Sequence, residues 1–164
     1  MKKRFSWRRV LAVCLTCVFA VLAGEGRAVA QEGQGVYITQ ASARLTKLVD
    51  AGNKKGYQLH NNSFSVGGGW LKQSAEKWVV LYSIQLTAGK EYVFLAAGDD
   101  DAKDVDLRIQ DSNNEEVAKD DKIYPEAVVV FRPKTSGLYT ISARLFDSRE
   151  NYDCVVLSVM MVKK

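Results

Sequence analysis

The chain has 164 residues, with 23 Lys+Arg, 19 Asp+Glu, one His and three Cys. This length suits one compact domain, and a composition of 47% hydrophobic and 26% charged residues excludes a disordered or fibrous chain. The formal charge of +4 does not indicate a nucleic-acid binder, because residues 1–30 alone carry six basic and one acidic side chain. The remainder holds 17 basic and 18 acidic side chains, so no nucleic-acid partner is expected.

The first thirty residues have the three parts of a secretory leader. Residues 1–9 are basic, residues 10–23 form an uncharged apolar run, and residues 28–30 have the small-x-small pattern of a cleavage site before Gln31. A helix over the apolar run spans about 21 Å, less than the roughly 30 Å hydrocarbon core of a bilayer. The pattern predicts a signal peptide over 1–30 and export by general secretion to the periplasm or outside the cell. An uncleaved anchor is the alternative, and after cleavage no membrane partner is expected.

Cysteine usage agrees with a mature domain that has no internal disulfide. Cleavage removes Cys14 and Cys17 and leaves Cys154 alone, directly before the apolar residues 155–157. We expect Cys154 to be a buried thiol that packs as a small hydrophobic side chain. An intermolecular disulfide and a catalytic nucleophile are the two alternatives.

Residues 31–56 predict a flexible lead-in followed by one amphipathic helix. The segment 31–36 is polar and Gly-rich, and the apolar residues that follow recur at helical spacing: Ile38, Ala41, Leu45, Leu48 and Val49. Thr39 or Ser42 could cap the helix, which we expect to end near Ala51, before Gly52 and Asn53. The apolar face is expected to pack on the core of the domain; binding to a partner or a membrane surface is the alternative.

Residues 57–164 indicate β structure. Apolar side chains alternate with other side chains over 78–86 and 105–109, and further short apolar segments follow turn residues. We predict about seven or eight strands, near 78–86, 91–97, 105–109, 117, 127–131, 138–146 and 154–162. Because no helical pattern separates them, the predicted fold is all-β, an antiparallel jelly-roll-like sandwich preceded by the helix.

Four short motifs give the region 78–145 a resemblance to a known family. They are LTAGKEY at 86–92, DVDLRI at 104–109, NEEVAKD at 114–120 and SGLYTI at 136–141. In this order and spacing they resemble the bacterial pre-peptidase C-terminal domain, a secreted β-sandwich module. The resemblance implies a non-catalytic domain that accompanies secreted enzymes and assists targeting, polymer binding or export.

Two of these motifs also have a physical explanation of their own. Gly89 and Gly137 permit turn dihedral angles that are closed to residues with a Cβ. Tyr92 and Tyr139 are expected to place their rings in the core while each hydroxyl reaches a backbone partner at the sheet edge.

An acidic region suggests a calcium site. Carboxylates clustered on loops are the ligands that Ca²⁺ prefers, and the candidate ligands here are Asp99, Asp101, Asp104, Asp106 and Asp120. The sequence lacks the glycine of an EF-hand loop. The alternative is therefore no cofactor at all, with the acidic side chains solvated.

Trp70 and Tyr124 are the candidate ligand-binding residues, because each lies next to predicted loop residues, whereas Trp78 is expected in the core. The predicted function is a non-catalytic module that binds a protein or polysaccharide surface. A structural component of the cell envelope and a small hydrolase that uses His60 and Cys154 are the alternatives. The sequence leaves monomer and dimer open.

Overall fold

The computed structural model describes residues 25–164, and their side chains from residue 33 onward. Residues 1–24 of the predicted signal peptide lie outside this range. The described residues belong to two compact units, one up to Val36 and one over Tyr37–Lys164, which contains every contact discussed below. Over 25–164, no helix combines the length and the apolar character needed to cross a membrane.

Helix α1 spans Glu25–Lys54, so it begins before the predicted caps and includes residues 31–36. Nine strands follow it: β1 (Tyr57–Leu59), β2 (Val66–Leu71), β3 (Val79–Leu86), β4 (Tyr92–Gly98), β5 (Ala102–Gln110), β6 (Glu116–Asp120), β7 (Glu126–Phe131), β8 (Gly137–Ser148) and β9 (Cys154–Lys163). The predicted all-β fold with one N-terminal helix is confirmed. Strands β1 and β2 were not predicted.

The strands form two antiparallel sheets. In sheet A the order is β1-β9-β4-β7, and β2 pairs with β9 beside β1. In sheet B the order is β3-β8-β5-β6. The chain alternates between the sheets from β3 onward except at the β5–β6 hairpin, so the hydrophobic core is built from strands distant in sequence.

The core between the sheets contains the side chains that the period-two pattern selected. Val105, Leu107 and Ile109 of β5 are buried there, and Ile141, Ala143 and Leu145 of β8 join them. Both predicted tyrosines are buried, as expected. The Tyr92 hydroxyl accepts a hydrogen bond from the Thr87 N–H at 3.0 Å, and the Tyr139 hydroxyl donates one to the Thr135 carbonyl at 2.9 Å.

The central strands of sheet A, β4 and β9, are buried on both faces, which the sequence pattern did not reveal. All seven residues of β4 are buried. Its residues Val93, Leu95 and Ala97 face away from sheet B and pack with Leu45 and Val49 of α1. The helix therefore forms a third layer on the outer face of sheet A, in agreement with the expectation that its apolar face packs on the domain. Its first predicted apolar position, Ile38, is exposed.

Arg44 fixes this helix to the sheet at one end. Its guanidinium donates hydrogen bonds to the carbonyls of Gly98 and Asp99, and it lies 3.0 Å from an Asp100 carboxylate oxygen. Charged hydrogen bonds of this kind are stronger than neutral ones. They hold α1 beside the turn between β4 and β5.

The triglycine at 67–69 is a packing feature of β2. Gly68 has φ = +145°, and a Cβ at this position would lie 2.1 Å from the Val156 carbonyl oxygen. A Cβ on Gly67 would lie 2.5 Å from the ring of Tyr82. Glycine is therefore required where β2 approaches β9 and β3 closely.

Candidate functional site

Four connections meet at one end of the sandwich, which we name the loop end. They are residues 72–78, 99–101, 121–125 and 149–153, and the strands that they join run antiparallel. All of the predicted site residues lie in or beside these connections: Trp70, Asp99, Asp101, Asp104, Asp106, Asp120 and Tyr124. The topology thus gathers residues from five segments at a single end.

Asp99 and Asp120 use their carboxylates to accept backbone hydrogen bonds. One Asp99 oxygen accepts from the Val155 N–H at 2.6 Å, and the other accepts from the Asp101 N–H at 3.0 Å. An Asp120 oxygen accepts from the Val128 N–H at 2.8 Å, so it links the edge of sheet B to the edge of sheet A. These two carboxylates stabilise the connections of the loop end.

Asp101 and Asp106 are paired with arginines. Asp101 lies 3.2 Å from Arg149, and an Asp106 oxygen lies 2.7 Å from Nε and 2.5 Å from Nη2 of Arg144. Over residues 25–164, no three carboxylate, histidine or cysteine side chains converge in a way that could hold a metal ion. The calcium site stays a prediction, and the contacts of these aspartates give it no support.

Asp104 differs from the other four. Its side chain is buried, with 4% exposed, and its Oδ1 has no hydrogen-bond partner. Burial, and then the neighbouring Asp106 carboxylate, raise its pKa to about 6. Arg144 is the nearby cation, but Asp106 occupies two of its nitrogens and the Ala75 carbonyl accepts from the third. Asp104 is therefore a buried carboxylate without a full set of partners.

Trp70 belongs to a group of aromatic residues that we name the aromatic cleft. It is 44% exposed, and its ring packs edge-on against Tyr37 of α1, with 5.4 Å between ring centroids. Tyr152 is 47% exposed and donates a hydrogen bond to Glu150 at 2.6 Å. The cavity of about 240 Å³ between these rings is lined by Tyr37, Trp70, Asp101, Tyr152 and Asp153. Tyr37 was not predicted, because the cleft forms only when α1 and two connections meet.

Tyr124 lies apart from this cleft. It is 61% exposed in the connection 121–125, and its backbone carbonyl accepts a hydrogen bond from the Val105 N–H. The fold brings Tyr124 to the same end as Trp70 but does not place it among the residues that line the aromatic cleft.

Trp78 lies on the outer face of sheet B and not in the core. Its ring contacts two guanidinium groups, that of Arg108 at 4.5 Å and that of Arg144 at 4.7 Å from the ring centroid. Arg144 also lies over Phe146 at 4.8 Å. A register shift in β3 between Val80 and Tyr82 explains the position, because an extra residue reverses which side chains face the core.

His60 and Cys154 do not form a catalytic pair. His60 follows Leu59, which pairs with Met161, whereas Cys154 pairs with Leu71 at the other end of β9. The separation along β9 is about 23 Å at the rise of an extended strand. Cys154 is fully buried, as predicted, and burial raises its pKa to about 12, so it carries no thiolate at neutral pH.

A groove of about 690 Å³ lies at the opposite end from the loop end, between β2 and β3. His60, Tyr82 and Met160 are among the residues that line it. The Tyr82 hydroxyl is 3.2 Å from the Ser158 hydroxyl, and burial raises the Tyr82 pKa to about 12. Burial also lowers the pKa of His60. Both groups are therefore neutral at neutral pH, and the other residues that line the groove are uncharged.

Comparison with known proteins identifies no family. No family model matches the sequence, and no curated protein matches it either. A glycosylation-associated protein (Gap123) complex from Streptococcus agalactiae is a solved structure with distant similarity. It has 17% sequence identity and a TM-score of 0.32. The match covers 66% of this chain and 44% of that chain, so this chain spans less than half of its length.

Proposed function

We propose that this protein is an exported, non-catalytic β-sandwich module that binds a glycan in the aromatic cleft. The observation that carries the proposal is the combination of three aromatic rings with two carboxylates, Asp101 and Asp153, around one cavity. The faces of sugar rings are apolar and stack on aromatic side chains, while their hydroxyl groups donate to carboxylates. Trp70 would supply the main stacking surface, since it is exposed at the end of β2.

We propose that the protein is exported because residues 1–30 have the three parts of a secretory leader. The resemblance of residues 78–145 to the pre-peptidase C-terminal domain supports the same location and an accessory role in polymer binding. Both inferences derive from the sequence, and both agree with a binding site made of connections at one end of a stable sandwich.

We propose that the module is non-catalytic because its candidate nucleophile, Cys154, has the wrong chemistry and surroundings. Cys154 is buried and protonated, and the histidine is distant from it along β9. Neither group can take the role of an activated nucleophile and its base, which must lie within hydrogen-bond reach of each other.

Isothermal titration calorimetry with soluble sugars tests the proposal. The purified full chain is titrated with oligomers of glucose, N-acetylglucosamine and glucosamine. We expect binding of at least one oligomer, and a Trp70→Ala variant should weaken it by roughly tenfold or more, because stacked aromatic residues dominate such sites.

Phe64→Ala is the matched control for this experiment. Phe64 is an exposed aromatic side chain in the connection between β1 and β2, at the opposite end from the cleft. Its removal should leave the affinity unchanged. If the three oligomers fail to bind, or if Phe64→Ala weakens binding as much as Trp70→Ala, the proposed function is wrong.

A further inference from the structure

A second cavity at the loop end adjoins the aromatic cleft. Its volume is about 710 Å³, and it lies among the connections 72–78, 121–125 and 149–153. Asp153 lines both this cavity and the aromatic cleft. A ligand that occupies the cleft can therefore extend into the second cavity, which we name the Asp104 pocket.

The floor of the Asp104 pocket contains the buried carboxylate described above. Asp104 lines the pocket, and its Oδ1 accepts no hydrogen bond within the described part of the chain. Its neighbour Asp106 holds Arg144 by two nitrogens, and the third donates to Ala75. An anionic oxygen that is buried and unpaired is costly, so this site is prepared for a donor that arrives from outside the protein.

The charges around the pocket favour a cation. Asp104, Asp147 and Asp153 line it together with one basic side chain, Lys72. Asp147 lies 3.9 Å from Lys103, which is more than half exposed, so that pair is weak. Ile123 and Phe146 supply apolar walls, and an aromatic wall tolerates a nearby cation.

The geometry favours an ammonium group over a metal ion. A metal requires several oxygens at fixed distances, and no such cluster forms within residues 25–164. An ammonium group carries three N–H donors on a compact charge, and it can bond one buried carboxylate while its other donors reach water or rim groups.

We propose that the glycan bound by this protein carries free amino groups, and that Asp104 accepts a hydrogen bond from a protonated amine of the sugar. The inference rests on the proposed function, because the Asp104 pocket would bind sugar units of the same glycan that occupies the aromatic cleft. The ligand class is an amino sugar polymer without N-acetyl groups, since acetylation would remove both the charge and two of the three donors.

The test compares oligomers of glucosamine and N-acetylglucosamine of equal length by calorimetry at neutral pH. We expect the free amine to bind roughly tenfold or more tightly, which is the effect of one hydrogen bond to a charged group. Asp104→Asn should abolish this preference, so that the variant binds the two oligomers equally well. The variant keeps the shape of the side chain, and circular dichroism of both proteins checks that it is folded.

Asp121→Asn is the matched control. Asp121 is an exposed carboxylate at the loop end, paired with Lys119 at 3.1 Å, and it does not line the pocket. This variant should keep the full preference for the free amine. A preference lost equally in both variants would show general charge attraction and overturn the role of Asp104.

The remaining outcomes separate this inference from the proposed function. If both oligomers bind equally well, the amine inference is wrong and glycan binding stands. If neither sugar binds, both are wrong. If oligolysine binds more tightly than the glucosamine oligomer and depends on Asp104, the pocket recognises a basic peptide, and the assignment to a glycan is overturned.

Discussion

The two sheets cover their outer faces in opposite ways. At β4 and β9 the outer face of sheet A is apolar and lies under α1, with Leu45 and Val49 packed on Val93 and Leu95. The outer face of sheet B carries a polar layer, in which Trp78 contacts the guanidinium groups of Arg108 and Arg144. The outer face of sheet A is therefore covered by apolar packing, and that of sheet B by charged and aromatic side chains.

Because the interactions differ, substitutions on the two sheets should change the stability of the protein in different ways. Apolar packing is non-directional, so a lost methyl group costs transfer energy and leaves a cavity. A buried ion pair depends on both partners, and removal of one leaves the other charge uncompensated. Sheet A should therefore respond in proportion to the volume removed, whereas sheet B should respond to the loss of a single charge.

The largest effect is expected for Arg144→Ala. The substitution leaves Asp106 buried without its cation, releases the Ala75 carbonyl and removes a stacking partner of Trp78. We expect a loss of about 3–5 kcal/mol in the free energy of unfolding, measured by urea denaturation. Arg132→Ala is the control, because Arg132 is an exposed arginine paired with Glu91, and it should cost no more than about 1 kcal/mol. Equal effects of the two variants would remove the distinction between the two outer faces.

A somewhat smaller effect is expected for Leu45→Ala. Leu45 is fully buried between α1 and sheet A, and the substitution should cost about 3 kcal/mol in the same measurement. Lys47→Ala changes an exposed residue of the same helix and should have an effect near zero. A loss below about 1 kcal/mol for Leu45→Ala would show that α1 contributes little to the stability of the sandwich.

The smallest effect concerns pH and Asp104. Its pKa of about 6 in the folded state exceeds the value near 3.9 expected in the unfolded chain, so the folded state binds the proton more tightly. The associated stability is complete below about pH 4 and is lost as the pH rises through 6. Asp104→Asn should therefore match the wild-type protein near pH 4 and exceed it by on the order of 2 kcal/mol at pH 7–8.

Thermal denaturation of both proteins across this pH range provides the measurement. The difference between the two curves isolates Asp104 from carboxylates such as Glu91 and Asp121, whose pKa values are lowered and whose contributions run in the opposite direction. A constant difference between pH 4 and pH 8 would contradict the raised pKa.

Most strands could be predicted from the sequence because one face of each is buried. The alternation at 105–109 gave β5, and the segments 127–131, 138–146 and 154–162 agree with β7, β8 and β9 within two residues. Successive side chains of a strand point to opposite faces, so apolar and polar residues alternate in the sequence wherever only one face of the strand meets the core.

The predictions for β3 and β4 are wrong in part, because β4 is buried on both faces and the alternation of β3 is interrupted. In β4 the predicted face of Tyr92, Phe94 and Ala96 is correct, but the opposite face is buried as well, under a helix more than forty residues earlier in sequence. In β3 the alternation continues through Trp78 and Val80 in the sequence, yet the register shift turns both outward, and Val80 is 60% exposed. A continuous apolar run was the available signal for β4, whereas nothing local marked the irregularity in β3.

The candidate site could be predicted only in part. Each predicted residue lies at the loop end, because turn-rich segments carry the exposed aromatic and acidic side chains. The pairing of Arg144 with Asp106, which leaves Asp104 alone, depends on the register of β5 and β8. This register is set by the packing of the folded chain, and the spacing of residues in the sequence does not predict it.

The hydrogen bond from the Val128 N–H to Asp120 has a consequence for self-association. Val128 belongs to β7, the outermost strand of its sheet, where a free amide could pair with the edge of another molecule. A carboxylate from the facing sheet takes that amide instead, and a negative charge stands where an incoming strand would have to bond. This backbone donor at the edge of β7 is therefore already bonded and is unavailable to an incoming strand.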